Sequence, residues 1–392
     1  MLPLLFAPCM GASDDNPTVL VIVHGYDFAT LRTPAFLKTA LSSRRSPINL
    51  CILCDHGGCR GFRDAWRTHV LAEGLSLPGD SILFLEEEEA AAEDDLEPGH
   101  LEEETRRPLP EAAIEFLASI HPLCGRRGYL YLFYKFLAPE LLPDAEKLIV
   151  LDPDALVLGD LADLWKEFDH FDERHVISMA VDQSDRYYYR LQNATDPGYS
   201  AGWVGVAHGV GVNGGVLLLH AARARALGFA KAIAALTHVG MREREQGHLS
   251  FFCDLAEQDT VNLAILRFPY IWRPLDCAWN YMSTGLGGHR LADDASGLAL
   301  SYYDTCAPNG VTGSGGVKPG DLFKCSCGRQ IGILHFAGAV RGRPLLAKLN
   351  ASILANSGPQ LRLLARHRAA RPRWLDAAAA APTTMSSRKE EL

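Results

Sequence analysis

The chain reads as one α/β domain with a mostly parallel central sheet, on three observations. Continuous apolar, β-branched runs recur along the first half, as strands buried on both faces require. Between them lie segments whose apolar residues return at helical spacing, so β and α alternate, the order of a sheet covered by helices. Two aspartates and a histidine fall at carboxyl ends of such strands, where sheets of this kind bind ligands.

The first strand is Thr18-Val19-Leu20-Val21-Ile22-Val23, bounded by Pro17 and Gly25. Residues 31–41 follow as a helix, 48–54 as a second buried strand, 62–71 as a helix and 81–85 as a short third strand. Residues 86–104 then hold eleven carboxylates and no basic residue, the composition of a solvated, disordered loop insertion. Helical spacing returns over 129–142, ahead of a strand at 147–151 and a helix that begins at 161–168. Strands at 176–181 and 216–219, a helix at 259–266 and a strand at 331–335 close the set. Residues 285–327 form a Gly-rich insertion. The domain is expected to span 17–360, between an N-terminal tail (1–16) and a basic, Ala-rich tail (361–392).

With 392 residues, 48% hydrophobic and 22% charged, the composition is that of an ordinary globular chain. The acidic stretch accounts for the charge: without it the net value moves from −9 to +2. The folded body is therefore nearly neutral and offers no basic field to nucleic acid. No run of about eighteen apolar residues exists to span a membrane. Residues 1–12 are apolar but short and lack a basic start, so they read as a degraded or truncated signal or anchor segment.

Ten cysteines show no zinc-type pairing. Cys51-x-x-Cys54 and Cys59 sit on and just after a strand and are expected as buried thiols, whereas Cys277, Cys306, Cys325 and Cys327 are the candidates for disulfides. Sequons at Asn193 and Asn350, and a terminal Lys389-Glu390-Glu391-Leu392 one substitution away from a K-D-E-L retention address, point to the endoplasmic reticulum or Golgi lumen; a cytoplasmic location is the alternative.

The chemistry concentrates in Leu148-Ile149-Val150-Leu151-Asp152-Pro153-Asp154. Side chains alternate along a strand, so Asp152 and Asp154 leave its end on one side, close enough to share a divalent cation. Pro153, without an N–H, suits a strand end. A solvated turn after a buried strand is the bland alternative.

Three further segments join it in order: Gly211-Val212-Asn213-Gly214-Gly215-Val216, Glu257-Gln258-Asp259-Thr260-Val261-Asn262 and Leu334-His335-Phe336-Ala337-Gly338. Together they resemble glycosyltransferase family 8 over about residues 18–345, and Cys277-Ala278-Trp279-Asn280 resembles the W-N segment of its glucoside and dystroglycan-type xylosyltransferases. The resemblance implies a single nucleotide-diphospho-sugar transferase domain of the GT-A, Rossmann-like type. It also implies a UDP-sugar donor, Mn²⁺, retention of anomeric configuration and a glycan or glycoprotein acceptor. Xylose is favoured as the sugar, with glucose or galactose as alternatives.

Carried over by position, Asp152, Asp154 and His335 resemble the metal ligands, a donor set of hard oxygens and one imidazole. Tyr26, after the first strand, takes the base-stacking place. Lys135 takes the place of a basic residue that reaches the sugar or the metal-binding carboxylates, and Asn213 contacts the sugar. Gly338 and Arg341 match the glycine and the basic residue after the histidine, with Arg341 replacing a lysine and keeping a fork for phosphate. Gln258, Glu257 and Asp259 form the catalytic segment, Glu257 standing where aspartate is usual. That substitution raises an alternative: a transferase-like module that binds nucleotide sugar or glycan without turnover. A dinucleotide oxidoreductase is disfavoured, because no G-x-G-x-x-G follows the first strand.

Overall fold

The computed structural model describes residues 16–86, 104–109, 116, 119–120, 131–182, 211–249, 252–282 and 332–335. In chain order these form β1 (Thr18–Val23), α1 (Tyr26–Ser43), β2 (Asn49–Cys54), α2 (His56–Trp66), β3 (Ser81–Glu86), β4 (Glu104–Pro108), α3 (Tyr134–Leu141), β5 (Leu148–Leu151) and β6 (Ala155–Val157). There follow α4 (Leu161–Trp165), β7 (Ile177–Val181), β8 (Val212–Leu219), α5 (Ala221–Leu227), α6 (Phe229–Glu245), α7 (Glu257–Arg267), β9 (Trp272–Pro274), β10 (Tyr281–Met282) and β11 (Ile333–His335).

Eight strands make the main sheet in the order β4-β3-β2-β1-β5-β8-β7-β9. The run from β4 to β5 is parallel throughout, while β8 lies antiparallel to both β5 and β7. The apolar runs explain the burial: on β1, Leu20 and Ile22 join one core and Val19, Val21 and Val23 the other, so helices cover both faces. No helix among the described residues is long and apolar enough to cross a membrane.

The second helix starts earlier than the apolar spacing suggested, at His56, because its first turns are built on glycines rather than on an apolar stripe. The Asp55 carboxylate caps it by accepting the Gly58 amide at 2.7 Å. A Cβ at Gly58 would overlap the Val23 carbonyl, and one at Gly61 would lie 2.6 Å from the Ala29 methyl. These glycines, which read as breakers, let α2 close on β1 and α1. Beyond Trp66 the helix widens into a π turn (Arg67–Leu71).

The acidic stretch is bracketed by strand at both ends: Glu86 closes β3, Glu104 opens β4, and Glu86 pairs with Pro108. Residues 87–103 lie outside the described residues, as does the whole of 285–327. The β4 sequence Glu-Thr-Arg-Arg-Pro has no apolar run to betray a strand; charge and proline suit the sheet edge it occupies.

The cysteine expectation needs correcting. Cys54 and Cys59 form a disulfide across the end of β2 and the start of α2, and only Cys51 of the trio remains a buried thiol. Side chains on a strand alternate, so Cys51 faces one core and Cys54 the other, next to the helix turn that brings Cys59 close. Cys253 and Cys277 are each disulfide-bonded as well.

A second, three-stranded sheet, β10-β11-β6, stands beside the first. Its pairing positions the histidine: β11 runs antiparallel to β6 with His335 opposite Ala155, and β10 runs parallel to β11 with Met282 opposite His335. The Gly332 carbonyl accepts the amides of Leu158 and Gly159 at 2.7 and 2.8 Å. Trp279 lies across Gly159 and Gly332, where any Cβ would meet its ring.

Candidate active site

The chain lays β2, β3 and β4 on one side of β1 and then crosses to place β5 on the other. That reversal puts the topological switch point at the carboxyl ends of β1 and β5, the place where open α/β sheets bind ligands. Asp152 leaves β5 there in a tight turn: its amide bonds the Gly215 carbonyl at 3.0 Å, and its carbonyl accepts the Ala155 amide at 3.1 Å. The turn feeds β6, and β6 brings β11 with His335.

Asp152, Asp154 and His335 each offer one ligand atom, and these atoms lie within 4.8 Å of one another. Nε2 of His335 stands 3.4 Å from Asp154 Oδ1 and 3.7 Å from Asp152 Oδ2. A cradle is cut for the imidazole: a Cβ on Gly215 would overlap its ring. The register of β7 against β8 shifts between Met179 and Val181, so β8 carries extra residues around Gly214 and Gly215. Such bulges re-aim backbone beside functional sites.

Two protein cations flank the carboxylates. Lys135, on α3, is 1% exposed, and its ammonium donates to Asp152 Oδ1 (2.8 Å), Glu257 Oε1 (2.9 Å) and the Gly214 carbonyl (2.9 Å). Three donors meet three acceptors, which is what a buried lysine requires. Burial alone would depress its pKa, yet Asp152 and Glu257 outweigh burial and hold the ammonium above its ordinary range. Burial raises the carboxyl of Glu257 despite Lys135. On the other side Arg32, from α1, donates to Asp154 Oδ2 at 2.7 Å. Burial pushes Asp154 upward, but the His335 contact, Arg32 and Lys135 bring it below the ordinary carboxylate range. Burial likewise opposes protonation of His335, and Asp154 and Asp152 reverse it.

Two hard oxygens and one imidazole around a common point fit a divalent cation. Among the described residues, Nδ1 of His335 has no hydrogen-bond partner. The ring is fixed by packing against Gly215, with Nε2 turned to the carboxylates.

The other motif residues form one hydrogen-bonded plate beside this point. The Gln258 Oε1 accepts the Gly214 amide (3.0 Å) and the Asn213 side-chain amide (3.2 Å), and its Nε2 donates to Asp182 (3.0 Å). Asn280, of the Trp-Asn segment, donates to Asn213 Oδ1 at 2.9 Å, and Asn262 caps Val212 from both sides. Asp259 Oδ2 accepts the Leu255 amide at 2.9 Å, across the start of its own helix. Just before that helix Ala256 holds φ of 52°, a strained value for a residue with a side chain.

Tyr26 sits at the head of α1, 43% exposed, with its hydroxyl on Asp64 at 3.2 Å and Arg60 over its ring. Next to it, His24 packs on Tyr131 with ring centroids 3.7 Å apart, and Asp55 accepts the Gly25 amide at 2.8 Å. Gly338 and Arg341 lie outside the described residues. Arg32 and Asp182 were not foreseen and belong to no motif, whereas Asn262 and Asn280 stand inside the motif segments but had been given no role there.

An open, mostly parallel sheet with an Asp-Pro-Asp turn at its switch point is the architecture of a GT-A glycosyltransferase domain. The chain belongs to glycosyl transferase family 8, whose profile matches residues 106–319. Xylosyl- and glucuronyltransferase LARGE2 of Rattus norvegicus is 33% identical over 292 residues, which is 73% of this chain and 35% of that protein. Xylosyl- and glucuronyltransferase LARGE1 of Danio rerio is 26% identical over 289 residues, covering 73% and 32%. The chain thus spans about a third of the length of these relatives. Mouse xyloside xylosyltransferase 1 in its apo form shares the fold, with a TM-score of 0.51 at 14% identity over 83% of this chain and 98% of that one. The WbbM bifunctional glycosyltransferase scores 0.51 at 11% identity, covering 89% and 52%.

Proposed function

We propose that this domain transfers a sugar from a UDP-sugar to a hydroxyl of a glycan or glycoprotein, retaining the donor's anomeric configuration and using Mn²⁺. One observation carries the reading: two carboxylates and an imidazole converge at the switch point of the sheet. Asp152, Asp154 and His335 would hold the cation, which, when bound, offsets charge on the departing diphosphate. Tyr26 and the His24–Gly25 turn stand at the neighbouring strand end for the nucleotide, and Arg341 and Gly338 are assigned to the phosphates from the motif alone.

Lys135 fixes Asp152 against Glu257, so the extra methylene of Glu257 is used to reach the buried ammonium. Gln258 is held on three sides and keeps a polar amide fixed where positive character develops at the anomeric carbon, with no reorganisation needed at the moment of reaction. Asn213 shares that amide and is assigned to the sugar. Asp259 keeps its place in the catalytic segment by holding the turn that aims Glu257 and Gln258.

Xylose is the favoured sugar because the Trp279-Asn280 segment resembles that of xylosyltransferases, and the relatives' names include xylosyl beside glucuronyl transfer; glucose and galactose differ from xylose by a hydroxymethyl group that residues far apart in sequence would read. The Cys54–Cys59 disulfide favours an oxidising lumen of the secretory pathway. The test is a panel of UDP-sugars assayed for hydrolysis with and without Mn²⁺. The expected result is Mn²⁺-dependent turnover with UDP-xylose preferred. Binding of UDP-sugars with no turnover of any would favour the non-catalytic module instead.

A further inference from the structure

His24 follows β1 directly, and two contacts fix its ring. Nε2 stands 3.1 Å from Asp55 Oδ2. The ring lies on Tyr131, just ahead of α3, with centroids 3.7 Å apart. Asp55 is held in turn: its Oδ1 accepts the amides of Gly25 (2.8 Å) and Gly58 (2.7 Å), and the Cys54–Cys59 disulfide closes the chain around it. A carboxylate can only accept, so the proton of the imidazole belongs on Nε2. Burial lowers the His24 pKa more than Asp55 raises it, so at pH 7 the ring is neutral and carries that one proton. Nδ1 is then a bare acceptor. It takes no hydrogen bond among the described residues, and 38% of the side chain is exposed.

We propose that His24 selects the base of the donor nucleotide, its Nδ1 accepting the imide N–H of uracil, and that Asp55 is the positioning residue that sets this tautomer. The inference rests on the reading that the turn at the end of β1 receives the nucleotide of a sugar donor. Among pyrimidines the choice follows from one atom. Uracil carries a proton on N3, which Nδ1 can accept. Cytosine has a lone pair there, and it would face the lone pair of Nδ1 with no hydrogen between them. A site whose polar atom the wrong ligand leaves unpaired rejects that ligand more strongly than a site that merely fits it less well. Tyr26 cannot make this distinction, since stacking tolerates any base, and the diphosphate is common to both nucleotides.

The experiment measures UDP and CDP binding to the full chain by isothermal titration calorimetry with Mn²⁺ present. Wild type should prefer UDP by about ten- to hundredfold, the range expected when a polar partner is left unpaired. Asp55→Asn keeps an Oδ1 for the two amides but puts an N–H where Oδ2 accepted, so Nε2 becomes the acceptor and the proton moves to Nδ1. The preference should then turn toward CDP. His24→Phe keeps a ring on Tyr131 and removes both nitrogens, so it should bind the two nucleotides alike. A purely structural role would weaken both nucleotides together; an unchanged UDP-to-CDP ratio in both variants overturns the proposal. Equal binding of UDP and CDP by wild type overturns it without any variant. A wild-type chain that binds neither nucleotide would sink the nucleotide reading itself, and this inference with it.

Discussion

The eight-stranded sheet and the three-stranded sheet are held together by different means. In the large one, β1, β2, β5 and the 216–219 end of β8 are apolar and packed between two cores, and apolar residues of similar volume would serve there. In the small one, β10 has two residues and β6 and β11 three each, too short to hold by burial alone. Specific contacts hold it: the Gly332 carbonyl with two amides, Trp279 across two glycines, and His335 in the gap above Gly215. The large sheet supplies stability and the small one geometry, so substitutions should sort into two classes.

The largest effect is expected where the sheets meet. Replacing Asp152 and Asp154 together by Asn should lower sugar transfer by at least about 10³-fold, since several kcal/mol of charge stabilisation go with them. The melting temperature should change little, because Lys135 keeps Glu257. Activity that survives the double change would remove the metal role from this turn.

Two substitutions on β8 then set the sheets against each other. Gly215→Ala drives a methyl into the His335 ring and should cost about 10²-fold in turnover, with a modest fall in melting temperature. Leu217→Ala, in the core, should cost about 2–5 kcal/mol of stability while the folded fraction keeps its turnover. Thermal unfolding and donor kinetics on the same samples read both outcomes. Equal loss of stability and activity in each variant would break the distinction.

A smaller effect concerns pH. His220, between β8 and α5, has its pKa depressed below 6.5, first by burial and then by Arg223, with Glu146 opposing and Lys147 adding to it. The unfolded chain therefore binds the proton more readily than the folded one. The stability contribution is complete above pH 6.5 and is lost as pH falls through the depressed folded value. His220→Gln should lose less melting temperature between about pH 7 and pH 5 than wild type does.

The same division governs what the sequence disclosed. Strands such as Thr18–Val23 and Leu148–Leu151 were legible because burial on both faces demands unbroken apolar runs. β6, β9 and β10 left no such mark, being too short for periodicity, and the polar edge strand β4 went unassigned beyond Glu104, the last residue of the acidic loop. Helix α6 escaped because alanines and charges dilute its apolar stripe. At the site, Asp152, Asp154 and His335 were found by motif and their convergence by coordinates. Arg32 and Asp182 belong to no local pattern; contacts across 122 and 76 residues put them there. The Cys54–Cys59 bridge was missed because a separation of five carries no signal until α2 is known to start at His56.

One measurement addresses the central claim most directly: pulsed electron paramagnetic resonance of Mn²⁺ added, with UDP, to the full chain carrying ¹⁵N-histidine. A single histidine nitrogen should couple to the bound ion in wild type and vanish in His335→Gln. An ion that shows no nitrogen coupling, or the same coupling in the variant, would contradict the account.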